Sequence, residues 1–171
     1  SDFEDGTVKG YQGFWCDYTY EIASPGHNSD KCLHITTGKP KNMWDAQLFW
    51  GVDGLKEGVT YAYSFYAKSD CNLEMQFIGS QSESPYSGFY KDRFNAGSDW
   101  THCQGEFTYD GNPANIGRVG IQFGGVAGAN LWIDDCEFGK KKEGGSGSAA
   151  NRATSISFNL KSAEEKRKAL E

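Results

Sequence analysis

The chain has 171 residues, 37% hydrophobic and 23% charged, enough for one domain with a full core. A net charge of −6 removes the electrostatic drive toward a phosphate backbone and argues against a nucleic-acid partner, and no apolar run approaches the ~20 residues a membrane-spanning helix needs. The side-chain chemistry is lopsided: 11 Phe, 9 Tyr and 5 Trp stand against 3 His, which points to a module that holds a ligand rather than one that transforms it.

Residues 1–139 carry short β-type runs separated by Gly, Asn, Asp and Ser clusters, the spacing of an all-β sandwich or barrel. Strands are predicted at Gly13–Ile22, Lys31–Thr37, Ala46–Trp50, Thr60–Ser69, Asn72–Ile78, Trp100–Tyr109, Arg118–Gly124 and Leu131–Phe138. Turn signals lie at Asp53-Gly54, Glu57-Gly58 and Asp110-Gly111-Asn112-Pro113. Tyr61 to Ala67 alternates with period two but has rings on both sides, as a strand lining a ligand groove would. Trp100 and Trp132 are expected in the core.

Composition changes after Gly139. Residues 140–171 begin with Lys140-Lys141-Lys142-Glu143 and a Gly-Ser linker, Gly144 to Ser148. A helical tail follows, Ser162 to Glu171, with Ser162 and Glu165 in capping-box spacing. Alone in water so short a helix is marginal. The five cysteines, Cys16, Cys32, Cys71, Cys103 and Cys136, contain no C-x-x-C pair, which argues against a zinc knuckle; buried thiols and one or two disulfides both fit.

A groove that holds a ligand wants exposed aromatic faces beside side chains that hydrogen-bond. On a strand, Gln47 and Phe49 share one face, while Ala46 and Leu48 take the other and suit the core. Trp44 stands at the strand entry. Arg118 and Gln122 share a face with Gly120 between them, which leaves room for a ligand to approach. Gln76 lies outward between core-facing Met75 and Phe77, and Tyr86 and Tyr90 sit in a polar loop as a second stacking wall. Glu74 and Glu106 are the strand acids that a hydrolase would need as a pair.

Phe3-Glu4-Asp5-Gly6-Thr7, Gly58-x-x-Tyr61-x-x-Ser64-Phe65-x-Ala67-Lys68, Trp100 with Phe107-Thr108, Val119-Gly120-Ile121-Gln122-Phe123 and Ile133-Asp134-Asp135-Cys136-Glu137-Phe138 follow one another in order. This pattern resembles the carbohydrate-binding modules of families 4, 9, 16 and 22, over about residues 2–139. The resemblance implies a β-sandwich jelly roll. It also implies a groove in which a Trp is followed three residues later by a polar side chain, as Trp44 and Gln47 are. A structural calcium between the first and last strands is implied too, with Glu4 and Asp134 or Asp135 as ligands and Asp2 and the Lys31 carbonyl completing the shell.

Asn151-Arg152-Ala153-Thr154 and Leu160 to Leu170 resemble part of family 10 xylanases of gut Bacteroidetes, in some of which a binding module is inserted within the catalytic barrel. That likeness implies xylan as ligand, a xylanase catalytic domain in cis, and an extracellular, outer-membrane-surface or periplasmic setting. Mixed-linkage glucan, cellulose and mannan remain alternative ligands, and a protein-interaction sandwich without a glycan ligand is the alternative function.

Overall fold

The computed structural model describes residues 2–8, 11–12, 18–52, 54–111, 117–142 and 154–155. Among the described residues, eleven strands form two antiparallel sheets. The first sheet runs, in spatial order, β1 (Tyr11–Gln12), β4 (Gln47–Val52), β9 (Gly117–Gln122), β6 (Leu73–Gln81) and β7 (Gly88–Ala96). The second runs β2 (Tyr18–Ala23), β3 (Cys32–Thr37), β10 (Asn130–Lys140), β5 (Thr60–Ser69) and β8 (Thr101–Thr108), with β11 (Thr154–Ser155) pairing the end of β10. This is the expected β-sandwich.

Alternation builds the core. β5 turns Tyr61, Tyr63, Phe65 and Ala67 inward, and all four are buried. They meet Leu48, Trp50, Met75, Phe77, Val119 and Ile121 from the facing sheet. Tyr63 lies flat on Phe77 with ring centroids 3.6 Å apart. Burying rings of this size supplies most of the apolar area that holds the sheets together.

Two differences from the sequence reading have physical causes. First, Trp132 and Trp100 are half-buried and outside the core. Leu131 and Ile133 take the inward positions of β10, so period two sends Trp132 outward. There it stacks on His34, with Lys68 Nζ 5.3 Å from its ring and 4.9 Å from that of Trp100. Second, residues 88–96 form edge strand β7, where no strand is expected. Its charged run Lys91-Asp92-Arg93 hides the alternation, because Asp92 points inward to accept from Tyr63 Oη at 3.1 Å and Tyr90 Oη at 3.2 Å. Cys32, Cys71, Cys103 and Cys136 are free thiols, one of the two states the sequence leaves open. Burial pushes Cys32 up to about 11 and Cys103 and Cys136 up to about 12, so these three stay protonated at neutral pH.

The remaining predicted strands match within a few residues, and Thr60–Ser69 matches in full. Residues 13–17 of the first predicted strand, Cys16 among them, lie outside the described residues, as do the linker at 144–148 and the predicted helix at 162–171. β10 runs to Lys140, one residue past the expected boundary. No helix among the described residues is long and apolar enough to cross a membrane, which says nothing about membrane-crossing strands.

Candidate functional site

The outward face of the first sheet carries three rows of side chains that run across the strands, each fixed by register. The first row is Gln47 on β4, Gln122 on β9 and Gln76 on β6, continuing to Arg93 on β7. The second is Phe49, Gly120, Ile78 and Lys91. The third is Gly51, Arg118 and Ser80. An apolar strip therefore lies between two hydrogen-bonding rows.

The glutamine row is a ladder. Gln76 Nε2 donates to Gln122 Oε1, and Gln122 Nε2 donates to Gln47 Oε1 at 3.2 Å. The side chains are only 4–6% exposed. Among the described residues neither Gln47 Nε2 nor Gln76 Oε1 has a protein partner, so both ends of the ladder hold unspent hydrogen-bonding capacity. Buried polar groups are nearly always satisfied, and exceptions call for an explanation. A ligand hydroxyl is one.

The third row is built by stacking. Phe49 lies over Gly120, where an added Cβ would come within 2.4 Å of its ring and 2.3 Å of the Leu48 carbonyl oxygen. The Arg118 guanidinium lies 4.0 Å from the Phe49 centroid and 5.3 Å from that of Tyr86. Arg118 Nε donates to Ser80 Oγ at 2.9 Å. Phe49 is consequently 0% exposed. It supports Arg118 and offers no free face, which differs from its expected role as a contact.

Two exposed rings flank this floor. Trp44, 55% exposed, sits in a single 3-10 turn, Met43–Asp45, that enters β4 at the glutamine end. The turn is pinned: Asp45 Oδ2 accepts from Lys41 N and Asn42 N, and Gly124 N donates to Met43 O. Those backbone hydrogen bonds hold the Asp45 carboxyl below the usual carboxylate range. Tyr86, 51% exposed, follows β6 at the opposite end, where β4 and β9 pair through Val52 and Gly117. From Gln47 to Val52 is about 17 Å along the strand at ~3.3 Å per residue. Trp44 and Tyr86 thus bound a shallow trough that crosses the strands.

The structure brings together Trp44, Gln47, Gln76, Tyr86, Arg118 and Gln122, with Phe49 beneath. Tyr90 is elsewhere: it faces inward against Phe107, with centroids 4.9 Å apart, because its position pairs with core-side Gly79. Sequence reading missed Ile78, Ser80, Lys91 and Arg93, the last two because β7 went unrecognised. Rings on the second sheet's outer side do not form a comparable platform. His27 and His102 cover Tyr66, and His34 covers Trp132, so these faces are already occupied. Glu74 pairs with Arg93 on the first sheet and Glu106 with Lys141 on the second. The two acids lie on opposite sides of the sandwich and form no pair across one cleft.

The expected calcium ligands separate into two groups. Lys31 O, Ser29 Oγ and Asp134 Oδ2 converge on Gly26, where an added Cβ would lie 2.2, 2.2 and 2.6 Å from them. Glu4 is tied in through Lys31 N, which donates to its Oε1 at 2.7 Å. Asp134 is fully buried, and burial raises its carboxyl pKa against hydrogen bonds from His27 N, Ser29 Oγ and Asp135 N. In this oxygen-rich cradle Ser29 Oγ donates to Lys31 O at 3.2 Å and to Asp134 Oδ2 at 2.8 Å. Asp135 is held by His27 at 3.0 Å, and exposed Asp2 accepts from Glu4 N at 3.4 Å, so neither enters the cradle. Among the described residues no three His, Cys, Asp or Glu side chains are grouped as metal ligands, and carbonyl and hydroxyl oxygens would complete any shell.

This architecture is shared with solved structures. A family 4 carbohydrate-binding module has a TM-score of 0.61 at 19% identity, over 71% of this chain and 78% of that one. The CBM22-1 xylan-binding domain of Paenibacillus barcinonensis has 0.60 at 14%, over 81% and 90%. The N-terminal cellulose-binding domain of Cellulomonas fimi β-1,4-glucanase C has 0.54 at 17%, over 74% and 90%. At these identities the likeness concerns the fold. No curated protein sequence matches the chain. The family model for the carbohydrate-binding domain matches residues 1–125, and the chain belongs to that family.

Proposed function

We propose that this domain is a non-catalytic module that binds xylan in the trough of the first sheet and carries a xylanase to plant cell-wall polysaccharide. The observation that carries this reading is the buried glutamine ladder with unspent amide groups on an outward sheet face. Its amides recur once per strand, about 4.8 Å apart. That repeat is comparable with the rise of one β-1,4-linked pyranose, so successive sugars meet successive amides. Trp44 and Tyr86 supply stacking faces at the two margins, and Arg118 donates from the far side of the strip. Such a module acts by raising the local concentration of its enzyme at the substrate. The xylan-binding domain of Paenibacillus barcinonensis shares the fold, and the cellulose-binding domain of the Cellulomonas fimi glucanase keeps another β-glycan as the chief alternative.

The xylanase context, the insertion within a family 10 catalytic barrel of a gut Bacteroidetes enzyme, and an extracellular, outer-membrane-surface or periplasmic location rest on the sequence resemblance of residues 151–170. Calcium belongs to the same reading. Asp134, the Lys31 carbonyl and Glu4 would hold it, and the ion would neutralise the buried carboxylate and tie the first residues to β10.

Calorimetry against xylan, mixed-linkage glucan, cellulose and mannan oligosaccharides tests the proposal, with wild type and Trp44→Ala. Binding to xylan weakened at least about tenfold in the variant is expected. Its stability should stay within about 0.5 kcal/mol, because the ring is more than half exposed. Preference for another glycan would reassign the ligand. Absence of binding to all four would leave a protein-interaction sandwich.

A further inference from the structure

The charge of this acidic chain is unevenly placed. On the outward face of the first sheet, the described strand residues include three cations, Arg118, Lys91 and Arg93, and one carboxylate, Glu74. On the outward face of the second sheet, Lys68 and Lys141, the latter 2.7 Å from Glu106, stand against Glu21, Glu106 and Glu137, with Asp134 buried beside them. The trough face is therefore cationic in a molecule of net charge −6. A neutral polysaccharide gives no reason for this polarity.

The cations differ in what they have left to offer. Arg93 is committed to Glu74 at 2.7 Å. Arg118 is stacked over Phe49 and donates to Ser80. Lys91 is exposed and makes no ion pair among the described residues. It ends the apolar strip Phe49–Gly120–Ile78, opposite Ile78 on edge strand β7. A glycan lying along the strip meets amides and C–H-compatible surface over three strands, then an ammonium group at the rim. Neutral chemistry on the floor suits the main chain of a β-glycan. A lone cation at the rim suits a negative charge carried on a branch.

We propose that Lys91 forms an anionic subsite, so that the trough prefers β-glycan chains bearing uronic-acid substituents. This rests on the glycan-binding reading given above and names the ligand class more closely. Lys91 Nζ would pair with the uronate carboxylate, with Arg93 adding to the local potential. An exposed ion pair of about 0.4–1 kcal/mol is equivalent to about a two- to fivefold gain in affinity, and salt screens it.

The test compares xylo-oligosaccharides carrying a glucuronate branch with the same oligosaccharides after their carboxyl groups are reduced to hydroxymethyl. Calorimetry at low and high salt gives the ratio of the two affinities. Wild type should favour the charged form about two- to fivefold at low salt, with the ratio shrinking at high salt. Lys91→Gln should bring the ratio to one, and Lys91→Arg should keep it. Equal wild-type affinities would overturn this inference while leaving the glycan-binding reading intact. A preference that persists in Lys91→Gln would overturn the assignment to Lys91. Failure of wild type to bind either form would overturn this inference together with xylan as the ligand.

Discussion

At the residue scale, the site depends on side chains whose facing follows from period two and whose partners do not. Gln47, Gln76 and Gln122 are legible as outward residues because Leu48, Met75, Phe77 and Ile121 claim the core beside them. Their alignment into one ladder is not legible, since it depends on the register of three strands distant in sequence. Phe49 illustrates the same limit. Its face is readable, but its burial under Arg118 is a long-range contact that no local pattern encodes. Gln122 is the hinge of the ladder, since it accepts from Gln76 and donates to Gln47. Gln122→Leu should leave both neighbours buried and unpaired. A stability loss of about 1–3 kcal/mol in urea titration is expected, together with weakened glycan binding by calorimetry. Unchanged affinity would mean that the ligand does not use the ladder.

At the element scale, β5 is the best-written strand: ten residues of strict alternation, predicted to the residue. β7 is the worst, because an edge strand with solvent on one side tolerates the charges that ordinarily mark a loop. Between these extremes β9 has a requirement visible only in three dimensions. Gly120 must lack a side chain for Phe49 to lie down and Arg118 to stack on it. Gly120→Ala should therefore destabilise by about 1–3 kcal/mol through forced displacement of Phe49 and the β4 backbone. It should also disturb the Tyr86 side of the trough while leaving Trp44 in place. Thermal unfolding and calorimetry together read both effects; a variant as stable as wild type would show that the β4–β9 approach is looser than the contacts imply.

At the scale of the whole molecule, the sandwich and its family were legible from ordered motifs, whereas the sheets' partition of charge emerged only with topology. The cradle at Gly26 joins the first residues to β10, so an ion there should act on global stability. With calcium at about 100 times its Kd, the melting temperature should exceed that in chelator by about 10 °C. Asp134→Asn should remove most of that response. A melting temperature indifferent to both calcium and chelator would end the calcium reading. The glutamine ladder has a last consequence at this scale. Both its hydrogen bonds run the same way, from β6 toward β4, leaving an acceptor at one end and a donor at the other. A polysaccharide is directional too, with a reducing end unlike its non-reducing end. A ladder with a head and a tail cannot treat the two threadings alike, so a bound chain would lie across the module in one preferred sense, and anything fused to the module would meet that chain from one end.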